Sequence, residues 1–403
     1  MNWYYKKIIN YFLAYLFIAP VTIFLPNRQL LFSIIFIISF FIFIYYKKKI
    51  EETFFIFLIL NFVLLILQTS YFERFSFSST SRLFMNILLP YFLMKSIGKN
   101  YLNYFIKVIY FFTIVSFIFY FPSLISDSIH SQIGKISPSL GTDSYLANQN
   151  FIIYTWEAKY NNLLRNSGNF TEPGYFASIL SVALSFNLLR EKNLFSKTNL
   201  VFIVGLLTTL STAGYISLFY ILTIHTIFII KSAYKYFIIP VALFASFVTY
   251  QKLDFLQNKV NEQYTTQVEE GVEAGRFGSA LLDIKDIKKY PFIGRGLTKS
   301  TRFDEVDYWV GDEAPRPILN SITDTILKFG IIGSLIYFFL LVRSINFYLK
   351  HNKFEKRGML LILGTILIVS FSQPILLTPI FLSLMYYYDF KFENNVKTYN
   401  NYA

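Results

Sequence analysis

The sequence predicts an all-α fold: a polytopic membrane helix bundle of about twelve transmembrane helices with two long extracytoplasmic loops. Three observations carry this. Of the 403 residues, 54% are hydrophobic and only 15% charged, where a soluble domain carries roughly 25% charge. The apolar residues gather in runs close to the ~20 residues that take a helix across a bilayer. The short segments between alternate runs are basic, as cytoplasmic loops are.

The predicted spans are 8–25, 30–46, 53–70, 82–97, 101–121, 174–190, 198–212, 214–230, 236–250, 320–342, 358–373 and 375–390. The first lacks a small-x-small cleavage site, so it reads as a span and not as a cleaved signal peptide. The seventh and eighth are parted only by the tight "STAG" at 211–214. With both termini cytoplasmic, the cytoplasmic segments hold 19 of the 37 basic residues against 6 acidic ones, an excess equal to the whole net charge of +13. The positive charge is therefore a topology signal, and no nucleic-acid partner is expected. The chain divides into five spans in 1–121, loop one in 122–173, four spans in 174–250, loop two in 251–319, and three spans with a cytoplasmic tail in 320–403.

Loops longer than about 15 residues usually carry function or lack order. Loop two holds 10 basic and 12 acidic residues, so it is not a polybasic tail. Within it, Phe277, Ala280, Leu281, Ile284 and Ile287 recur at helical spacing, with Asp283, Lys285, Asp286 and Lys289 opposite and Pro291 ending the pattern. This is an amphipathic helix, expected on the bilayer interface or capping the bundle.

Several chemistries find no residues. There is no cysteine, and of the three histidines only His130 falls on the outer face. No HExxH motif and no clustered Asp pair appears on an outer loop, so no metal and no other cofactor is expected. The outer loop at 26–29 has no acidic residue, unlike lipid-linked glycosyltransferases that bind a metal there. "NFT" at 169–171 matches a glycosylation sequon that often arises by chance.

Arginine remains: Arg165 in loop one, and Arg276, Arg295, Arg302 and Arg316 in loop two. A guanidinium fork gives phosphate paired, charge-assisted hydrogen bonds. Neighbouring glycines, Gly275, Gly278, Gly294 and Gly296, let a ligand approach the backbone. The alternative is that these arginines meet lipid headgroups or the acids of loop two. Glu172 precedes Pro173 and Gly174 at the start of the sixth span, where Pro suits the first helical turn. It is either a capping carboxylate or a base or orienting group for an acceptor hydroxyl. Asp324 and Lys328 lie one helical turn apart in the tenth span and are expected to pair.

Three blocks then resemble the bacterial O-antigen polymerase and ligase superfamily: "RNSGNFTEPGYFA" (165–177), "GRFGSALLDIKDIKKYPFIGRGL" (275–297) and "NSITDTILKFGIIG" (320–333). The resemblance implies a metal-independent glycosyltransferase in the bacterial inner membrane with its long loops periplasmic or extracellular. It would move a growing O-antigen or capsule glycan from undecaprenyl pyrophosphate onto the next lipid-linked repeat. It assigns Arg165 and Arg276 to the pyrophosphate and Glu172 to the attacking hydroxyl. Arg295, Arg316, Asn320, Gly294 and Gly296 follow as substrate-binding positions. The bilayer, a chain-length regulator and a flippase are the implied partners. A ligase, or a flippase for the same lipid, is the alternative reading. Ligases usually carry His before the Asn of the third block, where this chain has Leu319, which favours the polymerase.

Overall fold

The computed structural model describes residues 3–22, 28–136, 148–150, 152–157, 163–228, 276–297 and 320–391. These residues are mostly helical. The predicted span at 236–250, most of loop two, and Arg302 and Arg316 lie outside them. The chain forms two compact units, Met1–Lys48 with Leu88–Ser232 and Arg357–Val369, and Lys49–Ile87 with Ala233–Lys356 and Ser370–Ala403.

In order, the first helices are α1 (Trp3–Leu16), α2 (Ala19–Thr22), α3 (Arg28–Tyr45), α4 (Glu52–Phe72), α5 (Phe77–Ile97) and α6 (Tyr101–Ile125). They are followed by α7 (Asp127–Ile136), strands β1 (Asn148–Asn150) and β2 (Thr155–Glu157), α8 (Pro173–Glu191), α9 (Lys197–Thr208) and α10 (Thr212–Phe228). The last are α11 (Arg276–Lys289), α12 (Ser321–His351), α13 (Gly358–Ser372) and α14 (Pro379–Met385), with a closing 3-10 turn at Tyr387–Phe390.

Three helices, α4, α6 and α12, are long and apolar enough to cross a membrane. Leu30–Tyr45, α9, Thr212–Ile227 and α13 are apolar but shorter. Among the described residues the twelve expected spans are thus matched only in part. The predicted first span is two helices, α1 and α2, and the predicted last span holds only the seven residues of α14 before its 3-10 turn. There Pro379 starts α14 afresh instead of continuing an earlier helix.

In the first unit, α8 is the central element: every residue from Pro173 to Leu189 is buried. Ser178 and Ser181 satisfy their hydroxyls against carbonyls one turn back, and Ser181 also bonds Ser217 of α10 at 2.6 Å. Small side chains on this face let α9 and α10 pack closely. Two helices do part here, but the break lies at 209–211, with Leu210 at φ 46; Thr212, Ala213 and Gly214 of "STAG" already belong to α10.

Loop one departs from the all-α expectation. β1 and β2 form an antiparallel pair with Gln149 opposite Trp156. The β-branched Thr155 and aromatic Trp156 suit the extended backbone of β2. Trp156 lies on His130 of α7, ring centroids 5.0 Å apart, and its Nε1–H donates to the His130 carbonyl at 2.9 Å. Gly134 leaves room for that ring, since a Cβ there would come within 2.8 Å of it.

In the second unit, α4 buries Phe54, Phe57, Asn61 and Gln68, one stripe at helical spacing. Asn61 Oδ1 accepts from the Tyr337 hydroxyl of α12 at 2.9 Å, beside a T-shaped Phe57–Tyr337 contact. Phe55, Ile59, Phe62 and Ile66 on the other side are exposed. Serines staple α12 to the segment after α13. Ser321 Oγ donates to the Gln373 carbonyl at 2.7 Å and accepts from the Ile375 and Leu376 amides. Ser344 Oγ donates to the Met385 carbonyl at 2.6 Å.

Candidate functional site

The first block is an extended stretch sunk among helices. Asn166, Ser167 and Asn169 have no exposed surface, so their polar groups need partners. The Asn166 amide donates to the Thr208 carbonyl at 3.0 Å, and its Nδ2 donates to Ser116 Oγ and Thr208 Oγ1, both at 3.0 Å. Its Oδ1 accepts from the Gly168 amide at 2.9 Å, closing a tight turn. Gly168 has φ 57, and a Cβ there would lie 2.9 Å from the Phe176 ring. Glycine therefore permits both the left-handed backbone and the closure of Phe176 over it. Phe170 stacks on that ring with centroids 5.6 Å apart.

This framework holds the two predicted residues. Arg165 is half-buried, and its Nε–H donates to the Thr209 carbonyl at 3.4 Å. Glu172 is exposed at the N-cap position of α8, with Pro173 in the first turn. Its backbone does the capping work: the carbonyl accepts from the Tyr175 and Phe176 amides at 3.1 and 3.2 Å. Its carboxylate makes no capping hydrogen bond. The sequence left capping and chemistry as alternatives, and the side chain does not cap.

The second and third blocks fold together in the second unit. Arg276 is the first residue of α11, and its side chain lies outside the described residues. α11 packs through a face that carries two of its acidic residues. Ala280, Asp283 and Asp286 are buried, while Leu281 and Ile284 are exposed. The carboxylates go inward because partners wait there. Asp283 Oδ2 accepts from Thr323 Oγ1 at 2.5 Å, and Asp286 Oδ1 takes Nη2–H of Arg295 at 3.1 Å. Arg295 is only 2% exposed, with its guanidinium carbon 5.3 Å from the Tyr290 ring centroid.

The loop after α11 is spliced into a break in α12. Gly330 interrupts the helix with φ 66 and ψ 179. Such a break frees backbone groups that must be paired. The loop supplies the partners: the Arg295 amide donates to the Leu327 carbonyl at 2.7 Å, and the Ile331 amide donates to the Pro291 carbonyl at 2.8 Å. Gln68 of α4 pins both sides, its Nε2 donating to the Ile293 carbonyl at 2.6 Å and the Lys328 carbonyl at 2.7 Å. The room at Gly294 is taken by Gly330, and a Cβ on Gly296 would meet Gln68 Oε1 at 3.2 Å. The close approach that the glycines allow is therefore, in part, the chain's own.

No family model and no curated protein matches the chain.

Asn320 is buried and caps α12, its Oδ1 accepting from the Ile322 and Thr323 amides at 2.9 and 3.2 Å. Asp324 and Lys328 form the expected pair at 2.7 Å. Among the described residues, no cluster of three or more His, Asp or Glu side chains is placed to hold a metal. Sequence reasoning missed Gln68 and the helix break. An amide in an apolar span and a glycine inside a helical pattern were the signals available. Chemically, the first block offers a guanidinium and an exposed carboxylate on a rigid mount. The second and third blocks offer an arginine fixed by a carboxylate, a ring and a backbone splice.

Proposed function

We propose that the chain is a membrane-embedded polysaccharide polymerase of the O-antigen polymerase type, acting at the outer face of a bacterial inner membrane. In this reading the helices form a bundle of about twelve spans, both termini are cytoplasmic and the long loops are extracytoplasmic. Lipid would cover the exposed apolar faces of α4 and of α11, including Leu281 and Ile284.

The observation that carries the reading is the mount of the first block. Burying three polar residues to hold Arg165 and Glu172 at the head of a buried helix is costly unless their placement matters. The reaction breaks the bond between the sugar anomeric carbon and the pyrophosphate oxygen. The acceptor hydroxyl oxygen bonds to that carbon, and undecaprenyl pyrophosphate departs with the electron pair. Arg165, and by resemblance Arg276, stabilise the charge that gathers on the leaving pyrophosphate. Glu172 takes the proton of the acceptor hydroxyl. Leu319, where ligases usually have His, favours polymerase over ligase.

The test is genetic. Arg165→Ala or Arg276→Ala, expressed in the native host, is expected to abolish long glycan chains and leave single repeats and membrane insertion intact. Normal chain-length ladders in both variants would refute the pyrophosphate assignment.

A further inference from the structure

The late turns of α12 and the closing 3-10 turn gather two cations on one ring in the second unit. The Arg343 guanidinium carbon lies 3.5 Å from the Tyr388 ring centroid, and Lys391 Nζ lies 5.6 Å from the same centroid. Both are thus within the ~6 Å reach of a cation–π contact. Lys391 Nζ also donates to the Tyr388 hydroxyl at 3.3 Å. The ring is held in place. The Tyr388 amide donates to Ser344 Oγ at 3.1 Å, and Phe347 meets the ring edge to face at 5.7 Å.

Two like charges on one ring repel each other. Among the described residues, no carboxylate pairs with either cation. Asp389, the acid nearest in sequence, is buried at 3% exposure, whereas Arg343 and Tyr388 are half-buried and Lys391 is exposed. A guanidinium stacked on a ring still offers N–H groups in its own plane. An ammonium that gives one hydrogen to a hydroxyl has two more. The pair is a preformed seat for an anion that no described residue supplies.

The surroundings decide which anion. Ile331, Leu335 and Phe339 are exposed at four-residue steps along α12, and the next step is Arg343. Four-residue steps form one ridge on a helix surface. From Ile331 to Arg343 that ridge runs about 18 Å. This is close to half of the ~30 Å hydrocarbon core of a bilayer. α12 is long and apolar enough to cross a membrane. Its 31 residues measure roughly 46 Å, so its last turns stand clear of the hydrocarbon. An apolar lane one leaflet deep that ends in two cations matches a phospholipid, with acyl chain along the lane and phosphate at its end.

We propose that Arg343 and Lys391, set on Tyr388, bind the headgroup phosphate of an anionic phospholipid whose acyl chain lies along Ile331, Leu335 and Phe339. The site rests on α12 crossing a membrane and not on the polymerase reading.

The test uses the full chain purified in dodecyl maltoside. Dioleoyl phosphatidylglycerol, dioleoyl phosphatidylcholine or inorganic phosphate is titrated in, and the rise in melting temperature gives the half-saturating amount. Phosphatidylglycerol is expected to act at an amount about tenfold lower than phosphatidylcholine, whose phosphate carries its own cation. Inorganic phosphate, which has no acyl chain, is expected to leave the melting temperature unchanged. Arg343→Gln and Lys391→Gln are each expected to raise the half-saturating amount of phosphatidylglycerol about fivefold. Lys197→Gln, at an exposed lysine of α9 in the first unit, is expected to leave it unchanged. The site is refuted if phosphatidylglycerol stabilises no better than phosphatidylcholine, if inorganic phosphate stabilises as well as phosphatidylglycerol, or if Lys197→Gln weakens binding as much as Lys391→Gln. Lipid-free melting curves check folding. Should Arg343→Gln melt early, exposed Lys391→Gln against Lys197→Gln decides the question.

Discussion

Gly294 and Gly330 meet backbone to backbone, so closely that a Cβ on Gly294 would lie 2.5 Å from the Gly330 amide nitrogen. Both have positive φ, 70 and 66. A Cβ on Gly330 would collide with the Phe292 carbonyl. Nothing flexible stands in the way that could move aside. Gly294→Ala and Gly330→Ala are therefore each expected to cost about 3 kcal/mol or more. Gly98 is the control: its φ is 86, but nothing lies within 4 Å of an added Cβ. Gly98→Ala is expected to cost only about 1–2 kcal/mol, the strain of the left-handed backbone alone. Melting curves of the purified variants separate the two effects. Equal losses at Gly98 and Gly330 would contradict the splice.

Gln68 makes a second prediction. Its one nitrogen serves two carbonyls on the two sides of the splice. Gln68→Leu leaves both part-buried acceptors without that donor, at up to roughly 1–3 kcal/mol for each group. Gln68→Glu separates donor loss from shape loss. A protonated acid still donates to one carbonyl, whereas a carboxylate faces both with negative charge. Its carboxyl pKa is thus raised by folding, and the variant is expected to lose stability as pH rises through that range. A higher melting temperature at alkaline than at mildly acidic pH would contradict the assignment.

What the sequence made legible depended on local signals. Apolar runs placed the helix positions well, because spacing and punctuation are local. Pro173 marked the start of α8 for the same reason. The packing of α11 was legible only in part. Its apolar Leu281 and Ile284 are exposed, as an interfacial face would be, but nothing local showed that Thr323 and Arg295 offer partners that draw Asp283 and Asp286 inward. A paired carboxylate can be buried where an unpaired one cannot. The strand pair of Asn148–Asn150 and Thr155–Glu157 was hidden by its shortness and by an anchor, Trp156 on α7, that is a tertiary contact. The break at Gly330 was equally hidden, since its cost is met by residues far away in sequence.

The Asp324–Lys328 pair supplies a third prediction. Asp324 is 4% exposed, and the two groups meet at 2.7 Å. Removing one partner of a largely buried pair strands the other charge and costs about 3–5 kcal/mol. Lys328→Met and Asp324→Asn are each expected to destabilise strongly. The double variant is expected to recover part of the loss, because no charge is left alone. A double variant as unstable as the sum of the singles would show that the two side chains act independently.

Glu172 separates structure from chemistry most cleanly. The head of α8 is capped by the Glu172 carbonyl and set by Pro173, and the carboxylate takes no part in the cap. Glu172→Gln is therefore expected to melt within about 0.5 kcal/mol of the parent, as exposed substitutions usually do. If the carboxylate takes the acceptor proton, the same variant loses about 10²- to 10⁴-fold in polymerisation rate, the usual worth of a general base. Glu172→Asp, which keeps the charge one methylene short, is expected to fall between. The measurement is glycan chain length in the native host, read beside the melting temperature of the purified protein. A parent-like glycan ladder in Glu172→Gln would remove Glu172 from the chemistry and leave Arg165 as the functional residue of the first block. A large drop in melting temperature would instead give the carboxylate a structural duty.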